Sequence, residues 1–335
     1  MRGSEPDVWV KGVFMRGTRR NLGGLLATIF CLQLAFALSS VQPALSLEEI
    51  MVSYAGPTVT FLPAEVARQR GFLREQNLDM KLLLTRSEVD RAALVSGGVD
   101  YTLRAGSTFV SAARGLPVRI VFLGTIRPFW GLVVRPETKS VSELKGKSVG
   151  VPGLLGAQQI SAKFILKHYG LDPDKDVVYR VVDSGTRIAA MLSGAIDRSM
   201  MDYGEAFRAK KAGLKFLVNA ADLHGLLAGG LAANVRKLRE QPDQVKRVLK
   251  AMTRALKYIQ ENPEGTQQVM MNWLKLDHEM AADIYQMAVN NYTKNGMVEE
   301  SMLNSLVTSM LAEAGIKNVA VSQLVDFSLL QQTLK

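Results

Sequence analysis

Ala92-Ala93-Leu94-Val95-Ser96-Gly97-Gly98-Val99-Asp100 and Ala189-Ala190-Met191-Leu192-Ser193-Gly194-Ala195-Ile196-Asp197 share the pattern Ala-Ala-x-x-Ser-Gly-x-x-Asp at an offset of 97 residues. Each copy reads as the end of a helix, a glycine turn and the start of a strand. Solenoid repeats run about 20 to 50 residues, so this longer spacing predicts two related α/β lobes. The flanking sequence agrees. Strands are expected at 50–54, 80–84, 101–104 and 118–123, with helices at 63–70 and 88–95. Beyond them lie strands at 131–134, 148–151, 177–182, 199–201 and 216–218, and helices at 157–168 and 186–192. Alternation of this kind belongs to βαβ units and a mostly parallel sheet, the α/β class. Pro63 suits a first helical turn, Gly71 a left-handed helix end, and Ser87 with Asp90 a capping box.

After Val235 the pattern changes to long helices at 244–261, 263–274, 278–290 and 302–314. Val245, Val248, Leu249 and Met252 fall on one helical face, which packs on something larger. The methionines of this region read as core filler.

The N-terminus has its own order. Residues 22–38 carry no charge; Arg16, Arg19 and Arg20 precede them and a small-residue segment, 39–46, follows. This is the order of a secretory signal peptide. The run is shorter and more polar than the roughly 20 apolar residues of an anchor. Cleavage after Ser46, with Ala44 at −3, is expected, or else after Ser39. Met15 would open an ordinary signal, so residues 1–14 read as a start-site extension. The pair Arg19-Arg20 loosely fits a twin-arginine signal, but the general secretory route is expected. The one cysteine, Cys31, lies inside this segment. The mature chain therefore has no disulfide, cysteine zinc site or iron–sulfur cluster. Three scattered histidines, His168, His224 and His278, make no metal site.

Net charge is +10, and residues 1–46 hold five of the 41 basic and two of the 31 acidic side chains. The excess that remains is spread along the chain without a nucleic-acid-binding motif, so it reads as a solvated basic surface. Gly146-Lys147-Ser148 lacks the earlier glycine of a phosphate-binding loop and precedes a strand, so it reads as a turn. A nucleophile elbow, a zincin motif and a dinucleotide fingerprint are all missing. No catalytic residue, metal or cofactor is expected.

Several segments in sequence order carry a family likeness: Tyr54-Ala55-Gly56-Pro57, Phe61-Leu62-Pro63-Ala64-Glu65-Val66-Ala67, Arg70-Gly71-Phe72-Leu73, and Ala93 to Asp100. Ser142-Glu143-Leu144-Lys145-Gly146-Lys147-Ser148-Val149-Gly150-Val151, Tyr169-Gly170-Leu171-Asp172-Pro173 and Arg187 to Asp197 continue it. The chain resembles, from about Ile50 to Val235, the solute-binding proteins of the nitrate/sulfonate/taurine and thiamine-pyrimidine-precursor family. The resemblance implies a two-lobed type II periplasmic-binding-protein fold with a ligand cleft between the lobes and a helical C-terminal region. Lobe one would comprise 47–126 and 226–335, and lobe two 127–225, with crossings near 125–130 and 225–233.

The implied protein is a periplasmic, monomeric substrate-binding component of an ABC importer. It would deliver a small anionic or zwitterionic solute (a sulfonate, carboxylate or pyrimidine-type compound) to a membrane permease. It would be no enzyme and bind no nucleic acid. The alternatives are an exported sensing module and an enzyme of the thiamine-pyrimidine synthase-like fold. Relatives of that enzyme type carry a Cys-rich iron motif that a cysteine-free mature chain lacks.

Ligands of open α/β folds bind at strand C-termini, which selects the candidate site residues. From lobe one come Ser53, Tyr54, Thr58, Arg104, Ser107 and Thr108, and at the crossing Thr125, Arg127 and Trp130. Lobe two offers Gly156, Ala157 and Gln158 at a helix N-terminus, then Asp183, Asp202 and Tyr203. Helix N-termini suit an anion, and Arg104 or Arg127 adds a bidentate contact. Arg187, which begins the second repeat helix, is expected in an inter-element salt bridge.

Overall fold

The computed structural model describes Gly12, residues 46–154 and 156–335, and of Ser87 the backbone alone. The expected export signal and Cys31 fall outside the described residues, apart from Gly12 and Ser46. The chain forms β1 (Glu48–Tyr54), α1 (Leu62–Gln69), β2 (Leu78–Leu84), α2 (Ser87–Ser96), β3 (Tyr101–Thr102), α3 (Ala105–Ala113) and β4 (Val118–Leu123). It crosses to β5 (Trp130–Val134), β6 (Lys147–Val151), α4 (Ala157–His168), β7 (Val177–Val181), α5 (Arg187–Leu192), β8 (Arg198–Asp202), α6 (Tyr203–Lys211) and β9 (Lys215–Asn219). It then returns through β10 (Gly230–Asn234) to α7 (Val235–Glu240), α8 (Pro242–Glu261), α9 (Pro263–Leu274), α10 (His278–Ala288), α11 (Glu300–Glu313) and α12 (Ser328–Thr333).

Two five-stranded sheets result, ordered β2-β1-β3-β10-β4 and β7-β6-β8-β5-β9. In each, one strand runs against its two neighbours: β10 in the first sheet, β5 in the second. The remaining pairs are parallel, as expected. Each antiparallel strand is the first in its sheet after a crossing, so the two crossings exchange one strand between the lobes.

The repeat extends well past the nine matched residues. β2 and β7 end at Leu84 and Val181, and β3 and β8 begin at Tyr101 and Arg198, each pair 97 apart. Gly97 and Gly194 both end a helix with positive φ, 86° and 83°, the conformation in which a side chain is strained and glycine is not. The last aspartate makes the same bond in both copies. Asp100 Oδ2 accepts from Met51 N–H at 2.8 Å, and Asp197 Oδ2 from Ser148 N–H at 3.0 Å. The carboxylate thus ties the turn ahead of the central strand, β3 or β8, to the neighbouring β1 or β6.

Three expectations change. The strand at 101–104 stops at Thr102, because Arg104 becomes the N-cap of α3. Helix α2 is preceded by Arg86 as N-cap, and Asp90 points inward to accept from the Ser53 and Thr102 hydroxyls. The capping box lies instead at Asp202 and Glu205, opening α6, a helix the periodicity did not show.

Val245, Val248, Leu249, Met252, Leu256 and Ile259 of α8 are buried, packed partly on α1. Met270, Met280 and Met310 are core residues, whereas Met302 is exposed. The C-terminal region also braces the first crossing. Ile126 N–H donates to Asn291 O at 3.1 Å, Thr293 N–H to Gly124 O at 3.0 Å, and Leu123 N–H to Gly296 O at 2.8 Å. Helix α11 lies on α4 of the second lobe, and Lys167 reaches Glu313 at 2.5 Å. Among the described residues, no helix is long and apolar enough to cross a membrane.

Candidate functional site

The C-terminal ends of the parallel strands face one another across the cleft. Gly106 of α3, beyond β3, sits against Ala157 of α4, beyond β6: a Cβ on Gly106 would lie 2.9 Å from Ala157 Cβ and from Leu227 O. Only a glycine allows this approach of the two helices and the second crossing. At the outer edge, Arg86 and Asp183 come within 3.9 Å.

On the first-lobe side, Ser53 is buried and its hydroxyl is committed to Asp90. Arg104 donates to the Thr85 carbonyl, and burial lowers its pKa. Ser107 Oγ–H donates to Arg104 O at 3.3 Å; Thr108 is buried and its N–H donates to the same oxygen at 3.1 Å. Thr58 is half-buried in extended backbone ahead of the turn at Val59–Phe61. Tyr54 stacks on Trp273 of α9, centroids 6.3 Å apart, and meets Phe61 edge-on. Burial raises the Tyr54 phenol's pKa.

On the second-lobe side, Gly156 is the N-cap of α4 and Ala157 its first residue. Gln158 Oε1 accepts from Arg187 Nη1 at 2.9 Å. Arg187 is 1% exposed and also donates to Met200 O, to Ser184 Oγ at 2.6 Å and to Glu205 Oε2 at 2.7 Å. It is the expected inter-element salt bridge. Burial and the neighbouring Asp202 charge raise the Glu205 pKa, and the Arg187 charge opposes them. Asp202 is buried and accepts from Glu205 N–H at 3.0 Å. Tyr203 is buried, donates to Asn219 Oδ1 at 2.9 Å, and is pushed up to about 12 by that burial. Asp183 stands in solvent apart from Arg86.

At the crossings, Thr125 Oγ1 accepts from Gly229 N–H at 3.1 Å and so joins the two connections. Trp130 is 4% exposed, and its Nε1–H has no hydrogen-bond partner among the described residues. Arg127 is exposed and donates to Ala221 O at 3.0 Å. The fold thus brings Gly106, beside Ser107, against Ala157 of the Gly156–Gln158 turn, and turns Arg127 outward.

Four participants escaped sequence reasoning. Asp90 was expected only as half of a capping box, and Glu205 and Trp273 in no motif, although Asp202-x-x-Glu205 is a readable capping signal. His224 is the fourth: its Nε2 lies 2.8 Å from Ser161 Oγ and its Nδ1 3.1 Å from Gly225 O. The carbonyl requires a proton on Nδ1, so Nε2 accepts from Ser161. Burial lowers the His224 pKa. Among the described residues, no cluster of His, Cys, Asp and Glu is arranged to hold a metal.

The sequence matches the NMT1/THI5-like family over residues 58–266, more than half of the chain. The chain belongs to the NMT1/THI5-like family. A curated relative in that family's namesake group, the 4-amino-5-hydroxymethyl-2-methylpyrimidine phosphate synthase THI12 of Saccharomyces cerevisiae, is 30% identical over 227 residues, which is 62% of this chain and 65% of that protein. The match therefore spans just under two thirds of the yeast relative's length. Among solved structures, the ligand-binding component of an ABC-type import system from Staphylococcus aureus superposes with TM-score 0.73 at 14% identity, covering 85% of this chain and 99% of that one. The alkanesulfonate-binding protein SsuA of Xanthomonas axonopodis pv. citri, bound to MOPS, gives 0.67 at 15% identity, covering 83% and 98%. At those identities the likeness is one of fold: this NMT1/THI5-like chain has the two-lobed periplasmic-binding-protein architecture.

Proposed function

We propose that this NMT1/THI5-like protein is the solute-binding component of an ABC importer, exported to the periplasm as a monomer and docking on membrane permease subunits. Its cargo is a small anionic or zwitterionic organic solute: a sulfonate, a carboxylate or a pyrimidine-type compound. The lobes would be 47–126 with 226–335, and 127–225. The observation that carries the reading is the meeting of the α3 and α4 N-termini across the cleft, Gly106 against Ala157. The positive ends of two helix dipoles favour a negative group held there. Arg104 at the α3 N-cap adds a fixed cation. Capture by lobe closure asks for a few polar groups around a concave site and no nucleophile.

A second reading, a pyrimidine phosphate synthase, is favoured by the 30% identity to yeast proteins of that name. Against it, no cysteine follows Cys31, whereas the synthases of this resemblance use a Cys-rich motif.

A thermal-shift screen separates the readings. The purified protein and its Arg104→Ala variant are titrated with taurine, alkyl and aryl sulfonates, nitrate, aromatic carboxylates and pyrimidines. A ligand at about a hundred times its Kd adds about 2.7 kcal/mol to the native state. A sulfonate or carboxylate that raises Tm, and raises it less in the variant, is the expected result. Flat Tm with every compound, or turnover of a pyrimidine precursor, sinks the importer reading.

A further inference from the structure

The pseudo-symmetry of the lobes places one pair of residues where closure is most sensitive. Arg86 and Asp183 are 97 residues apart, the repeat offset, so each occupies in its lobe the position the other occupies in the opposite lobe. They follow β2 and β7, the edge strands farthest in each sheet from β4 and β9, where the chain leaves for its crossings. Four strand spacings of about 4.8 Å make a lever of about 19 Å, so a lobe rotation of about 10° separates the pair by about 3 Å. At 3.9 Å the guanidinium and carboxylate are at the limit of an ion pair, and both are mostly in solvent, 81% and 70% exposed. Leu84 and Val181, also equivalent by the offset, flank them and are exposed at 70% and 58%. Each lip is held to its own lobe by the residue just before the charged one, Thr85 N–H to Tyr54 O at 3.1 Å and Val182 N–H to Val151 O at 2.9 Å, while Arg86 and Asp183 themselves stand in solvent. The repeat would ordinarily put like residues face to face; here it carries opposite charges.

We propose that Arg86 and Asp183 form a latch across the mouth of the cleft, made in the closed form and broken on opening, which sets the ratio of closed to open protein. A contact present in one state shifts the equilibrium by its own free energy and no more. For an exposed pair that is about a two- to fivefold change in the ratio. The latch slows release of a captured solute more than it speeds capture, because it acts after the lobes have met. The inference rests on the lobe closure that the importer reading requires, and its test needs no ligand.

Distances between labels on Lys81→Cys and Val178→Cys, in a Cys31→Ser background, report the closed and open populations of the ligand-free protein by electron-spin or single-molecule methods. Arg86→Asp and Asp183→Arg are each expected to lower the closed-to-open ratio two- to fivefold. The swap, Arg86→Asp with Asp183→Arg, restores it. Salt of about 1 M, with a screening length of about 3 Å, removes the differences. Unchanged distributions in both single variants, or a swap that stays open, overturn the latch. Both residues are exposed, so an unchanged Tm certifies the fold of each variant. A protein that binds solute yet ignores the reversals keeps the importer reading and loses the latch; one that responds to them and binds nothing keeps the latch and loses the importer reading.

Discussion

The two lobes share a skeleton and differ in what each buries at one equivalent place. Asp90 in the first lobe and Arg187 in the second stand 97 residues apart, and each is 1% exposed. Asp90 gathers two hydroxyls, Ser53 from β1 and Thr102 from β3. Arg187 gathers Gln158, Ser184, the Met200 carbonyl and the Glu205 carboxylate. Both hold the cleft-facing ends of their sheets, but one does so with an anion and short neutral donors, the other with a cation and a buried counter-charge. A duplicated scaffold therefore conserves backbone geometry, the glycine turn and the Asp100 or Asp197 tie, while its interior charge is free to change sign if every partner changes with it.

The comparison breaks hardest at Arg187. Arg187→Met leaves Glu205 buried beside Asp202 without its cation, and the expected loss is about 3–5 kcal/mol by denaturant titration. The double variant Arg187→Met with Glu205→Leu recovers most of that, since an apolar pair of similar volume is close to neutral. If the single variant costs under about 1 kcal/mol, the pair is not what holds this end of the second lobe.

A sharper test of equivalence is the repeated aspartate. Asp100→Ala and Asp197→Ala each leave one strand N–H without its charged acceptor, at an expected cost of about 1.5–3 kcal/mol. Asp100 also loses its ion pair with Lys237, and Asp197 loses its ion pair with Arg198 and the bond from the Ser148 hydroxyl, so the two costs should be alike. A disparity much larger than an ion pair's worth would show that the matched bonds do unequal jobs.

The smallest effect concerns the first helix of each lobe. Ser161 of α4 holds His224 at the second crossing, whereas the position 97 residues earlier is the buried Ala64. Burial lowers the folded pKa of His224, and the unfolded value is about 6.5. Above that pH both states are neutral and the group contributes nothing. Below it the unfolded chain takes a proton that the folded one refuses, so stability falls as pH falls, by up to about 1.4 kcal/mol per pH unit. His224→Gln should narrow the Tm gap between about pH 7.5 and about pH 5.5, with other groups unchanged. An identical gap in both proteins removes the assignment.

Much of the scaffold was legible from residues alone. The β1, β4, β6 and β7 runs, the α4 and α8 periodicities, and the turns at Gly71, Gly97, Gly146 and Gly194 all came from local rules. Helix α3 did not: Ala105-Gly106-Ser107-Thr108 is a run of small residues without a helical stripe, and the helix is buried chiefly on β4 and β10 of its own sheet. Helix α6 was hidden because Asp202 and Tyr203 were read as a site, although Asp202 caps the helix with Glu205. In the candidate site, Arg187's salt bridge was foreseeable from its place in the repeat. Its partner was not, since Glu205 belongs to another helix.

By itself, the sequence determined the duplication, the alternation of strands and helices, and where the repeat helices end at Gly97 and Gly194, because those depend on periodicity and on backbone conformations open to glycine. The tertiary structure alone decided which groups of different elements meet: Asp90 with Ser53 and Thr102, Tyr54 with Trp273, Arg86 with Asp183, and residues 291–296 with the first crossing. Such contacts follow from strand order and crossing geometry. No local pattern encodes them, because a charge or a ring has the same sequence signature whether its partner lies in water or in the other lobe.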